Sequence, residues 1–231
     1  MAAVPAAGTD RVAGRGRGRL SRWGLLDVAL LAVVTWAVGR WATVFTGFPK
    51  GYDAWGHLSK ARMLADDFPD VNWNDAWYAG QPAFAGSYPP GYHVVVAVVA
   101  GTTRLDLPGA MVAVAAATMI AVVAGAYGTV VAVSGRRLPA VVAALLVIAT
   151  PAVWDQEAEL GLYPRFAGFG LAVLGVAAGA LWLRRHRRWR AAVSVAFLGG
   201  ALATHPVTGV IGVGLTGLSW SPSTAGPAGR A

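Results

Sequence analysis

From Gly109 to Ser134 the chain runs for about 26 residues without a charged side chain. About 20 consecutive apolar residues are enough for a helix to cross the hydrocarbon core of a bilayer. Backbone at that depth must satisfy its own hydrogen bonds, so only helices and closed barrels are admissible. Further apolar runs occupy Trp23 to about Thr46, Leu138 to Thr150, Phe166 to Leu183 and Ala191 to about Leu218. Charged residues make up 13% of the chain, against about 25% in soluble domains. The pattern predicts an all-α, polytopic membrane bundle of about five transmembrane helices, over 23–46, 109–134, 138–152, 166–183 and 191–215. The 138–152 span is short and needs packing neighbours or local thinning. With no cysteine in the chain, disulfides are excluded.

The charges orient these runs. Twelve of the nineteen basic residues lie before the first run, at Arg136-Arg137, and from Arg184 to Arg190. Cytoplasmic loops carry the Lys/Arg excess, so these segments and the N-terminus are placed in the cytoplasm of a multi-pass plasma-membrane protein. Nine of the eleven acidic residues then fall outside, in loops over about 47–108 and 153–165. Reading 91–107 as a further full span would turn Arg184–Arg190 outward. Tyr92 to Ala100 is instead expected as a short interfacial helix, and Asp53 to about Asp67 as another helix of the first loop. The first run is too long for a signal-peptide core and no clear cleavage site follows it. Residues 1–22 read as a disordered basic tail and 219–231 as a second disordered tail. The net charge of +8 is thus topological, and no nucleic-acid-binding motif accompanies it. Trp23, Trp41, Trp154 and Trp189 stand near run boundaries, where amphipathic rings are favoured.

This topology brings Asp53, in Gly51-Tyr52-Asp53-Ala54-Trp55-Gly56-His57, to the same face as Asp155, Glu157 and Glu159. Together with Trp77-Tyr78-Ala79-Gly80-Gln81-Pro82 and Tyr88-Pro89-Pro90-Gly91-Tyr92, the order of elements resembles the GT-C class of membrane glycosyltransferases. It is most similar to the prokaryotic membrane proteins called "6-pyruvoyl-tetrahydropterin synthase-related". The first loop also resembles that of the oligosaccharyltransferase catalytic subunit, with its Asp, aromatic and His, and Asp155-Gln156-Glu157 stands where that family carries a second acidic motif. The resemblance covers about residues 23–215. It implies transfer of a sugar from a polyprenyl-phosphate donor to a glycan, lipid or protein acceptor outside the cytoplasm, with Mg²⁺ or Mn²⁺ as the implied cation. Such enzymes usually have more spans, so the chain reads as a truncated form or as one needing a partner chain. Its second motif is Asp-x-Glu rather than Asp-x-Asp.

Such chemistry needs a base for the acceptor and charge to stabilise the leaving phosphate. Asp53 is the candidate base or metal ligand; the plainer role for an Asp there is an N-cap of the helix that follows. His57, one turn on, would bind phosphate or metal or orient Asp53, or else simply bond to backbone. Asp155 and Glu157 would complete a hard-cation site with Asp53, or form a solvated loop. Arg165 would clamp a lipid phosphate or snorkel to headgroups, and Arg40 is expected to snorkel. Trp77, Tyr78, Tyr88 and Glu159 are candidate substrate contacts, the aromatics alternatively packing a long loop. His205 is expected in the middle of the last span, where an ionisable residue is a functional candidate or a neutral partner of a neighbouring helix. Gly212-x-Gly214-x-x-Gly217 lies in an apolar run with no preceding strand and is no dinucleotide fingerprint. Gly175-x-x-x-Gly179 is expected as a helix-packing notch. The competing class is a non-catalytic membrane protein, a transporter subunit or envelope-assembly scaffold, which would place ionisable residues at broken helices near mid-membrane.

Overall fold

A computed structural model describes residues 27, 29–30, 32–34, 36–38, 40, 48–69, 82–84, 88–158 and 160–218, without the side chains of 156–158. The two tails, Trp23, Trp41, Trp77, Tyr78 and Glu159 lie outside these residues, as do parts of the first run and the Glu157 side chain. The regular structure among the described residues is helical. Its elements are α1 (Ala54–Asp66), α2 (Gly91–Thr102), α3 (Leu107–Ser134), α4 (Arg137–Ala149), α5 (Pro151–Ala158), α6 (Tyr163–Arg185), α7 (Arg188–Thr204) and α8 (Pro206–Leu218). The described positions between 27 and 40 are helical as well. Two helices, α3 and α6, are long and apolar enough to cross a membrane.

Local chemistry sets the ends. Asp106 caps α3 by accepting from the Gly109 N–H at 2.8 Å, with a proline in the first turn. Gly135 closes α3 at φ 70°, the left-handed conformation that favours glycine. Thr150-Pro151 interrupts the expected 138–152 span, leaving α4 with 13 residues. The Trp154 indole N–H donates to the Ile148 carbonyl across that break, at 2.8 Å.

Small residues let the long helices approach. Gly125 of α3 faces Val173 and Leu174 of α6, Gly128 faces Ala177, and Gly170 faces Thr118. These pairs advance in the same direction along both helices, so α3 and α6 run parallel. Gly175 and Gly179 of α6 receive Leu198, Ser194 and Thr216, and the Ser194 hydroxyl donates to the Gly175 carbonyl at 2.8 Å. The expected packing notch is therefore present.

The end of the chain departs from the sequence reading. A single span was expected over 191–215; instead the chain reverses at His205-Pro206. The residue before proline is driven out of the helical region, and His205 is extended at φ −152°, ψ 104°. Gly209 then lies directly against Leu202, closer than a side chain at position 209 would allow. Helix α8 returns alongside α6, with Thr208 at Gly168, Gly212 at Ala172 and Thr216 at Gly179. His205 is thus at the tip of a helical hairpin rather than in the middle of a span.

The molecule consequently has two chemically distinct ends. One collects Arg136, Arg137 and the Arg184–Arg190 segment. There Arg184 donates to the Val133 carbonyl, and Asp27 pairs with Arg137 and accepts from the Tyr127 hydroxyl, at 2.8 and 2.7 Å. The other end gathers α1, the start of α2, the start of α6 and the α7–α8 tip. It is cemented by a core including Leu58, Tyr92, Val96, Met111 and Tyr163.

Candidate functional site

The two loop segments of this second end are locked to each other. The Asp53 backbone N–H donates to the Leu160 carbonyl at 3.3 Å, and the Tyr163 hydroxyl donates to the Lys50 carbonyl at 2.8 Å. Gly51 (φ 107°) and Gly161 (φ 70°) adopt conformations rare for other residues. A Cβ on Gly51 would collide with the Gly161 backbone, and one on Gly161 would come 2.9 Å from the Ala54 nitrogen. Segments 48–53 and 160–163, which the sequence reading assigns to two loops on one face, are in direct contact at this seam.

Helix α1 distributes three side chains from the seam. Asp53 occupies the N-cap position, yet its side chain makes no capping hydrogen bond. The carboxylate is exposed. His57 turns inward and is 3% exposed. Its Nδ1 lies 3.1 Å from Nε2 of His93, in the first turn of α2, so its partner is a second imidazole rather than Asp53 or backbone. Burial, helped by the Lys60 charge, pushes the His57 pKa down to about 3. Burial acts likewise on His93, aided by His57 and Lys60 and opposed by the Pro89 backbone, and brings it to about 2. Both rings are neutral at neutral pH.

Lys60, one turn beyond His57, is 5% exposed. Its ammonium sits 5.6 Å from the Phe84 ring centre and 5.8 Å from that of Tyr88, within cation–π range. Burial lowers its pKa, and the Asp53 charge opposes that. Tyr88 is central: its ring meets His57 edge-on at 4.9 Å and lies 6.0 Å from His205, tilted by 46°. Burial raises the Tyr88 phenol and Asp53 adds to the rise, while Arg165 counters it. Arg165, exposed in the first turn of α6, also acts electrostatically on His205. The start of α2 is pressed onto the hairpin tip, since a Cβ on Gly91 would strike the Ala203 carbonyl carbon at 2.8 Å.

Of the residues singled out from sequence, the structure brings together Asp53, His57, Tyr88, Arg165 and His205. Asp155 is exposed on the short helix α5. The Glu157 side chain, Glu159, Trp77 and Tyr78 fall outside the described residues. No three His, Asp or Glu side chains come together as a cation site among the described residues. Sequence reasoning missed Lys60 and His93. The spacing of Lys60, three residues after His57, puts both on one helix face. His93 directly follows Tyr92 in an already conspicuous segment.

The site offers a carboxylate, two cations and a neutral histidine pair, walled by aromatic rings. It can hold an anionic group against Lys60 and Arg165 and present a proton acceptor beside it. No curated protein and no solved structure matches the chain. One family model matches residues 2–230. By that match over nearly its whole length, the chain belongs to the family of unknown function DUF6541.

Proposed function

We propose that the protein is a multi-pass membrane glycosyltransferase of the GT-C type, taking a sugar from a polyprenyl-phosphate donor to an acceptor on the extracytoplasmic face. The observation that carries this reading is the seam between Asp53 and Leu160, which sets a carboxylate in a cluster with Lys60, Tyr88 and Arg165. The cluster occupies the end of the bundle opposite Arg136-Arg137 and Arg184–Arg190. With basic segments facing the cytoplasm, the site faces outward in the plasma membrane.

In this reading Asp53 accepts the acceptor's proton, and Lys60 and Arg165 stabilise the departing lipid phosphate. Tyr88 and His205 line the place where the sugar sits. Carbocation-like charge at the sugar and negative charge at the leaving oxygens are met by groups of opposite sign. In this reading Lys60 and Arg165 meet the phosphate charge; among the described residues no three His, Asp or Glu side chains group together. The transporter alternative calls for ionisable groups at a helix break deep in the bundle. The break at His205 lies at its end, beside Tyr88, which supports the enzyme.

The test is transfer by the protein in proteoliposomes supplied with radiolabelled polyprenyl-phosphate hexose or pentose and a mixed acceptor pool. Asp53→Asn is expected to cut the rate by about 100-fold or more, the usual weight of a general base. Transfer undiminished in Asp53→Asn would remove Asp53 from the chemistry.

A further inference from the structure

Four arginines at the basic end of the bundle have no counter-charge. Arg136, in the turn between α3 and α4, and Arg185, Arg187 and Arg188, around the turn between α6 and α7, are exposed. Their guanidinium groups make no hydrogen bond or ion pair with any described residue. The arginines beside them are engaged. Arg137 pairs with Asp27 at 2.8 Å, and Arg184 donates to the Val133 carbonyl. Arg190 donates to the Leu181 carbonyl at 3.3 Å and lies 5.2 Å from the Trp189 ring centre. Arg184 also ties the two turns together, since a Cβ on Gly135 would stand 3.3 Å from its Nη1. The free charges of both turns are therefore gathered at one place.

Local structure does not account for three of them. Arg185 sits in the last turn of α6, where the helix dipole favours a cation. Arg136 and Arg187 are instead the N-cap residues of α4 and α7, and Arg188 opens the first turn of α7. Positive charge at a helix start opposes the dipole, so these side chains do not stabilise their own helices. Orientation in the membrane asks only for a number of cations on one side; it does not ask that unpaired ones converge from two turns. Nor does the chain supply the missing negative charge. Nine of its eleven acids lie from Asp53 to Glu159, none follows, Asp27 is taken by Arg137, and Asp10 is the one left. Beside the free arginines Trp189 is 59% exposed, and an amphipathic ring of this kind settles at headgroup depth. A fixed negative charge held at the membrane plane meets both the arginines and the ring, whereas a soluble polyanion meets only the arginines.

We propose that Arg136, Arg187 and Arg188, with Trp189 at their edge, bind the phosphate headgroup of an anionic phospholipid of the cytoplasmic leaflet. Guanidinium groups from two turns fork onto the phosphate oxygens, and the bound lipid supplies the charge that the chain lacks there. This surface lies at the opposite end of the bundle from Asp53 and is independent of the glycosyl-transfer reading.

The experiment is native mass spectrometry of the full-length protein in neutral detergent, titrated with phosphatidylglycerol or with phosphatidylcholine. Phosphatidylglycerol is expected to bind saturably, and phosphatidylcholine about 10-fold more weakly or less. Arg187→Gln/Arg188→Gln should weaken phosphatidylglycerol by about 25-fold, at roughly fivefold for each arginine near a charged surface, and Arg136→Gln by about fivefold. Arg62→Gln, which removes an exposed arginine from α1 at the other end, should bind as wild type does. Equal affinity of the wild type for the two lipids overturns the proposal without recourse to any variant. A loss in Arg62→Gln as large as in the double variant also overturns it, because total charge and not this surface would then set the affinity. Two competitors test the source of the phosphate. Displacement of the lipid by equimolar glycerol phosphate would make the surface a site for soluble phosphate, and tighter binding of a short RNA would make it a nucleic-acid surface; either result overturns the lipid assignment.

Discussion

His57 Nδ1 stands 3.1 Å from His93 Nε2 in a pocket where neither ring is more than 3% exposed. A neutral pair in this position makes the folded protein sensitive to acid. Unfolded histidine titrates near 6.5, whereas burial holds His57 at about 3. The unfolded chain therefore binds more protons once the pH falls below about 6.5. The stability from this source is full above that value and is lost progressively as pH falls toward 3. The melting temperature should be flat from pH 8 to 7 and should drop by several degrees between pH 6.5 and 4.5. A His57→Gln/His93→Gln double variant should give a visibly shallower fall over the same window in a detergent-based thermal scan.

Gly51 and Gly161 predict a second, local sensitivity. Each has a positive φ, and each lies where the other segment's backbone leaves no room for a Cβ. Gly51→Ala should cost about 2–4 kcal/mol, combining left-handed strain with a backbone clash. Gly101→Ala, in open space on α2, should raise or barely change the melting temperature. Limited proteolysis should show cleavage near residues 48–53 and 160–162 appearing first in Gly51→Ala. Equal resistance of Gly51→Ala and wild type would mean that the seam does not hold the loops together.

Lys60 predicts an electrostatic coupling inside the site. Desolvation is the main reason that His57 resists protonation, and the Lys60 charge adds to it. Lys60→Met keeps the aliphatic length against Phe84 and Tyr88 and removes the charge. His57 should then protonate at a higher pH than in wild type, though still below 6.5, as read by nitrogen NMR titration. A His57 titration that does not move on Lys60→Met would separate the two groups.

Helical class, α1, α2 and the two long helices were legible because apolar run length and Pro/Gly punctuation act locally. The arginine clusters led to the expectation that the first and second loop segments share an end; their direct contact at Gly51 and Gly161 was not legible, because nothing local in either segment names the other as partner. His93 was not legible either, because nothing in the sequence of an apolar helix tells which short stretch turns its one polar ring inward. Nor was the partnership of Asp27 with Arg137 and Tyr127. It joins positions about 100 residues apart, and Asp27 alone looks like a stray charge in an apolar run. The reversal at His205-Pro206 was hidden for a different reason. Proline tells that a helix is interrupted, but kink and hairpin share the same signal. What decides is whether residues on either side can touch, and here Gly209 admits Leu202.

That hairpin carries the last prediction. If α7 and α8 were one kinked span, Val207 would lie deep in the bilayer and would be hidden from any aqueous reagent. The structure instead puts Val207 on the tip, 63% exposed, next to His205 and at the same end as Arg165 and Tyr88. The chain has no cysteine, so a single introduced thiol reports its own position without background. Val207→Cys should react with a membrane-impermeant maleimide added to intact cells, as should Asp53→Cys. Arg187→Cys, at the opposite end, should react only after the membrane is opened. Labelling of Val207→Cys at the rate of a lipid-buried control such as Ile120→Cys would return the last helix to a single span. Labelling of Val207→Cys and Asp53→Cys together from outside would place the tip and the seam on one aqueous face. That is the arrangement a shared site requires, because a substrate bound by Arg165 and Asp53 must approach both from the same side.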